Sequence, residues 1–192
     1  MTKMTDPNLL IFAAERTYAI NGTNGWHDGY TQADAFTKIS LISTEVREWQ
    51  LESRPGNEQQ ALNELADIII RTMDTCELLE RGGFALALVM AGPCRHHPHH
   101  NNLLHMVTMY GLIEDAKQAF RKAPAGEMPA NAADAGPEVL NAVLPHLGGL
   151  ALYALMLLEH YAARENLTAQ DVITRVLDKN ATRGYRHGGR RL

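Results

Sequence analysis

The feature that most constrains this chain is the spacing of its apolar residues. Several long segments carry them at intervals of three and four, and none sustains the two-residue alternation of β-branched and aromatic residues that marks a half-buried strand. An all-α fold follows, built as an antiparallel helical bundle. Asp6 can cap a first helix over about Pro7 to Ile20, with Leu10, Ala14, Thr17 and Tyr18 along one side and the turn-forming run Asn21 to Gly25 as its stop. A second helix, about Gln32 to Ser53, carries the stripe Phe36, Ile39, Ile42, Val46 and Trp49 and ends before Pro55 and Gly56. A third, about Glu58 to Arg81, carries Leu62, Leu65, Ile69, Met73 and Cys76 and stops at Gly82 and Gly83. So short a link between the second and third makes them an antiparallel pair packed face to face.

From Gly92 to Asn102 the composition turns to Pro, His, Cys and Asn, which cannot continue a buried helix. The chain therefore divides into a first helical half, residues 1–91, a linker, 92–102, a second helical half, 103–178, and a basic tail, 179–192. Within the second half, periodicity resumes over Leu103 to Lys122. An exposed Ala, Pro and Gly stretch follows to Pro137, then a long helical region to about Arg164, interrupted or kinked at Pro145. Thr168 and Asp171 supply the cap and first-turn acid of a last helix that frays into the tail.

The formal charge of −4 over 192 residues gives no global attraction to nucleic acid or acidic membranes, so a phosphate-bearing partner must be met locally, and a small molecule is the expected one. The N-terminus shows no basic region followed by an apolar stretch. The longest apolar run, Leu147 to Leu158, is too short to span a bilayer, so no membrane anchor is expected. Cys76 and Cys94 stand in unlike surroundings, which suits free thiols in a reducing cytoplasm.

Chemistry concentrates in four carboxylates. Glu45 and Glu48 lie three apart on the second helix and project from nearly one face; Glu64 and Asp67 repeat that arrangement on the third, with Arg71 one turn beyond. Acidic pairs at this spacing are common on solvated helix faces. Here, however, Trp49 follows Glu48, and Leu65, Ala66, Ile68, Ile69 and Ile70 surround Asp67, which puts the acids beside the core. Four converging carboxylates repel one another, and divalent cations remove the conflict. Mg²⁺ or Mn²⁺, which prefers oxygen ligands and bridges carboxylates to substrate phosphates, fits better than zinc.

The segments Ser43-Thr-Glu-Val-Arg-Glu-Trp49 and Asn63-Glu-Leu-Ala-Asp-Ile-Ile-Ile-Arg71 resemble the E-x-x-E, spacer, E-x-x-D signature of the MazG-like all-α nucleoside triphosphate pyrophosphohydrolases, with fifteen residues between Glu48 and Glu64. Trp26, after a glycine turn, looks like that family's lead-in to the metal helix. Lys179-Asn180-Ala-Thr-Arg183-Gly-Tyr-Arg-His-Gly resembles the Lys, Asn and Arg tail of many relatives. The resemblance implies Mg²⁺-dependent cleavage of an NTP or dNTP between the α and β phosphates, in control of nucleotide pools. Metal held by Glu45, Glu48, Glu64 and Asp67 would bridge phosphate oxygens and activate water, with Glu45 or Glu48 as general base. It also brings Lys179, Asn180 and Arg183 onto the phosphates, where Arg71 joins them. Assembly as a homo-oligomer, a dimer, is common among relatives.

Trp26 and His27 are candidates to stack on or hydrogen-bond a base; for Trp26 and Tyr30, packing against the bundle is the competing role. Glu114 aligns with Glu45 after a similar apolar approach, Lys117 then replaces Glu48, and Gly149 stands where Asp67 would be. The two halves thus read as a fused tandem pseudo-dimer whose second, degenerate half lost its ligands, chance similarity of amphipathic pairs being the alternative. Arg190 and Arg191 read as solvent-facing. His96, His97, His99 and His100, near Cys94, match no closed tetrahedral site and read as an exposed loop. Rival functions are a dUTP- or dCTP-specific member of the same superfamily, a non-catalytic nucleotide-sensing or protein-binding helical module, and metal storage on the histidine tract.

Overall fold

The computed structural model describes residues 6–28, 32–80, 83–91, 101–122 and 137–183. Tyr30, Cys94, the histidine tract and Arg186, Arg190 and Arg191 lie outside them. Seven helices and no strand occur among the described residues: α1 (Pro7–Thr23), α2 (Gln32–Glu52), α3 (Glu58–Leu79), α4 (Gly83–Ala91), α5 (Asn102–Lys122), α6 (Pro137–Arg164) and α7 (Ala169–Ala181).

The central layer is a ring of four helices. α2 packs on α3, α3 on α6, α6 on α5, and α5 back on α2, around one continuous apolar core. α2 and α5 run antiparallel: Phe36 meets Phe120 at 6.2 Å between ring centres, the Tyr110 hydroxyl donates to the Ser43 carbonyl at 3.3 Å, and Trp49 meets His105 at 6.4 Å. α3 and α6 are buried on most sides along their middles, Ile68–Met73 (all but Arg71) and Leu150–Leu158, because α1, α4 and α7 cover the faces that the ring leaves open. Gly148 lets α4 approach α6 closely: a Cβ there would stand 2.1 Å from the Ala87 carbonyl oxygen.

Local signals account for most helix ends. The Asp6 side chain accepts from the Asn8 backbone N–H at 3.0 Å and caps α1. Thr168 and Asp171 form a reciprocal capping box at the start of α7. Gly56, at φ 92°, turns the chain between α2 and α3, a backbone setting that favours glycine.

Four expectations need correction. α1 does not stop at Ile20 but runs to Thr23, where the Thr23 hydroxyl donates to the Ala19 carbonyl and the Asn24 N–H caps Ile20. α3 stops at Leu79, and Gly83, expected to end it, instead opens the short helix α4. Of interruption or a kink at Pro145, interruption does not occur: α6 continues through it, and its absent N–H falls opposite the exposed Asn141. The apolar run Leu147 to Leu158 is only part of α6, which as a whole is long and apolar enough to cross a bilayer; 61% of its most apolar window is buried inside the bundle, where it serves as a core helix.

Candidate functional site

The inward stripe of α2 fixes where its acids point. Val46 and Trp49 are locked into the core, so Glu45 and Glu48 emerge along the seam with α3, where Glu64 emerges opposite. One carboxylate oxygen from each of Glu45, Glu48 and Glu64 lies within 4.8 Å of the others; Glu45 is buried, Glu64 half-buried and Glu48 exposed. Burial, then the neighbouring Asp67 and Glu45, push the Glu64 carboxyl up to about 8. Burial raises Glu45 as well, against the lowering effect of Arg71, whose Nε sits 2.7 Å from Glu45 Oε1. Only three of the four expected carboxylates form this close set. Asp67 is one turn further along α3, near enough to repel Glu45 and Glu64 but turned toward the end of α7.

There Arg71, Arg183, Lys179 and, least, the Asn180 side chain partly offset the burial that raises the Asp67 carboxyl. The basic residues read from the tail thus meet the acids read from α2 and α3, although more than a hundred residues separate them in sequence. Asn180 Oδ1 is buried without a hydrogen-bond partner, an acceptor aimed at no protein donor. An all-carboxylate donor set with this excess of negative charge fits a hard divalent cation, and the cations across Asp67 fit an anion beside it.

A cleft of ≈ 190 Å³ continues from Asp67, Asn180 and Arg183 along α3 to Asp74, Lys38 and Trp26. Asp74, two turns beyond Asp67, is buried and was not anticipated as part of the site. Its Oδ1 meets His27 Nε2 at 2.9 Å, and its Oδ2 accepts from Lys38 Nζ at 3.1 Å. Burial opposes charge on Asp74, yet the His27 hydrogen bond and the Lys38 charge together hold its carboxyl below the ordinary value. The loop after α1 is fastened at two points: the Asn24 side chain donates to the Asn180 carbonyl at 3.1 Å, and His27 is held by Asp74. Trp26, between them, lines the cleft. His27 does not line it: it bonds Asp74 and packs on the Tyr18 ring at 4.5 Å.

The second helix pair looks different at the corresponding places. Glu114 accepts from Lys117 Nζ at 2.6 Å on α5, and that ammonium also lies 6.0 Å from the Phe36 ring centre. Gly149 on α6 faces the Leu112 side chain, which a Cβ would meet at 3.6 Å. Comparison with protein-family models, with curated proteins and with solved structures returns no match.

Proposed function

We propose that this protein is a Mg²⁺-dependent nucleoside triphosphate pyrophosphohydrolase, which converts an NTP or dNTP to the monophosphate and pyrophosphate in nucleotide-pool control. The observation that carries the reading is the meeting of Glu45, Glu48 and Glu64, within 4.8 Å of one another, with Asp67 and the cations of Arg71, Lys179 and Arg183. Carboxylates alone would suit any divalent cation. Adjacent cations ask for a ligand that is itself anionic, and a metal-bound polyphosphate is both.

Glu45, Glu48, Glu64 and Asp67 would hold Mg²⁺, for which Mn²⁺ can substitute. When bound, the metal supplies charge neutralisation for the polyphosphate and acidity for the attacking water. Arg71, Arg183 and Lys179 bind phosphate oxygens and offset the charge that develops on the departing pyrophosphate. Glu45 is committed to Arg71, so the exposed Glu48 is the better acceptor for the water proton.

The test is turnover by the purified chain with Mg²⁺ across the common NTPs and dNTPs, with monophosphate, pyrophosphate and orthophosphate each quantified. Pyrophosphate release that falls by roughly 100-fold or more in Glu48→Ala and Asp67→Ala, with helicity unchanged, is expected. Release of orthophosphate instead refutes the bond assignment, and absence of turnover on every nucleotide refutes catalysis.

A further inference from the structure

A second cavity, of ≈ 330 Å³, opens at the end of the bundle where the α2–α3 turn, the start of α5 and the end of α6 meet. Among the described residues, none lines both this cavity and the cleft beside Asp67. Trp49 and Leu65, in its wall, directly follow Glu48 and Glu64, so the cavity and the carboxylate cluster lie on faces about 100° apart around the same helical turns. Its volume is that of an ordinary small-molecule site.

The wall is apolar and aromatic. Trp49, Leu62 and Leu65 are core residues that border the cavity, and Ala61 and Tyr161 adjoin them. Tyr161 gives its hydroxyl proton to Asn102 Oδ1 at 2.9 Å, so its ring is what a ligand would meet, and the Asn102 amide keeps its N–H donors. The Ser53 hydroxyl donates to the Trp49 carbonyl at 2.6 Å. Trp49 itself is 1% exposed, yet none of the described residues accepts from its indole N–H. A buried indole N–H ordinarily has an acceptor.

The charges around the cavity are mixed: Glu52, Glu58 and Glu165 against Arg54 and Arg164, all exposed but for the half-buried Glu52. Both guanidinium groups are engaged. Arg54 Nε donates to the Leu51 carbonyl, and Arg164 donates to His160 Nε2 at 2.8 Å and lies over the Tyr161 ring at 5.2 Å. An anionic ligand meets the excess of carboxylates. A cationic one meets two guanidinium groups, and its ammonium offers the indole N–H no acceptor. We infer that this cavity is a second ligand site, separate from the carboxylate cluster, for a small uncharged aromatic molecule whose carbonyl accepts from the Trp49 indole.

Naphthamide, naphthoate and naphthylmethylammonium share one ring system and differ in charge. In calorimetric titration of the full chain, naphthamide should bind about tenfold or more tightly than either charged analogue. Ala61→Phe fills the cavity from α3 and should abolish binding; Trp49→Phe keeps an aromatic ring, removes the N–H and should weaken binding by about tenfold. Melting curves establish that each variant is folded. Ala61 is only half-buried, so its substitution stays clear of the core and carries the test should Trp49→Phe unfold. Failure of naphthamide to bind the wild type, equal or tighter binding of a charged analogue, or unchanged affinity in a folded Ala61→Phe or Trp49→Phe overturns the inference.

Discussion

Replacing Asp74 with Asn keeps the shape of the side chain and removes its charge. In the folded protein that charge faces Lys38 Nζ at 3.1 Å and His27 Nε2 at 2.9 Å, in a position nearly closed to solvent. Breaking a buried ion pair from one side costs about 3–5 kcal/mol, because the partner is left buried without compensation. Lys38 keeps some access to the cleft, which points to the lower figure. For a chain of this size each kcal/mol moves the melting point by about 2–4 °C, so a loss near 3 kcal/mol lowers it by about 6–12 °C at neutral pH. The pH dependence follows from the direction of the shift. The folded-state pKa of Asp74 lies below its ordinary value of 3.8, so its stabilisation is complete above that value and is lost as pH falls through the lower, folded-state pKa. The gap between wild type and Asp74→Asn should therefore be constant from pH 7 to about pH 5 and close only in strong acid. Glu45, Glu64 and Asp67 titrate in both proteins and largely cancel in the difference. Calorimetric or circular-dichroism melts of the two proteins across pH decide it. A gap under about 2 °C at pH 7, or one that closes already near pH 6, would refute the buried ion pair as the source.

Thr168→Ala removes half of the α7 capping box and should cost about 1 kcal/mol, seen as a melting point about 2–4 °C lower, while Thr168→Asp should recover most of it. Unchanged melting in the Ala variant would mean that tertiary contacts alone hold the helix start. Gly148→Ala drives a methyl against the Ala87 carbonyl and should destabilise by about 1–3 kcal/mol in urea unfolding; a neutral result would mean that α4 yields without cost.

How far such features could be read in advance depends on how local their causes are. The E-x-x-E and E-x-x-D pairs are visible because residues three apart share a helix face, and the short link through Pro55 and Gly56 allows only an antiparallel return. The cap at Thr168 is equally local. α4 was illegible because Gly83-Phe-Ala-Leu-Ala-Leu-Val-Met-Ala91 is apolar on all sides and so carries no period. The end of α1 was misread for a related reason: the Asn21-Gly22 signal for a turn is weaker than the hydrogen bonds that Thr23 and Asn24 make backward to Ala19 and Ile20. Asp74 left one faint trace, an acid seven residues, two helical turns, beyond Asp67. Its partners, Lys38 and His27, come from α2 and the preceding loop, and only the folded chain brings them together.

Charge balance explains why the first helix pair, and not the second, carries the candidate site. On α5, Glu114 and Lys117 neutralise each other one turn apart, and Gly149 on α6 presents no polar group to Leu112. On α2 and α3, among the described residues, the four carboxylates meet Arg71, which is already paired with Glu45. Further positive charge comes from Lys179 and Arg183, and these answer Asp67 from one side only. A protein selected for stability alone would not keep Glu48 and Glu64 facing Glu45 across a packed helix seam, since like charges at this separation oppose folding. The proposed Mg²⁺ would relieve that repulsion. That account has a consequence independent of turnover: Mg²⁺ should raise the melting point of the wild type by the linkage of binding to folding, and should raise that of a Glu48→Gln, Glu64→Gln double variant far less. If the double substitution leaves the response to Mg²⁺ unchanged in a folded protein, the cation site lies elsewhere.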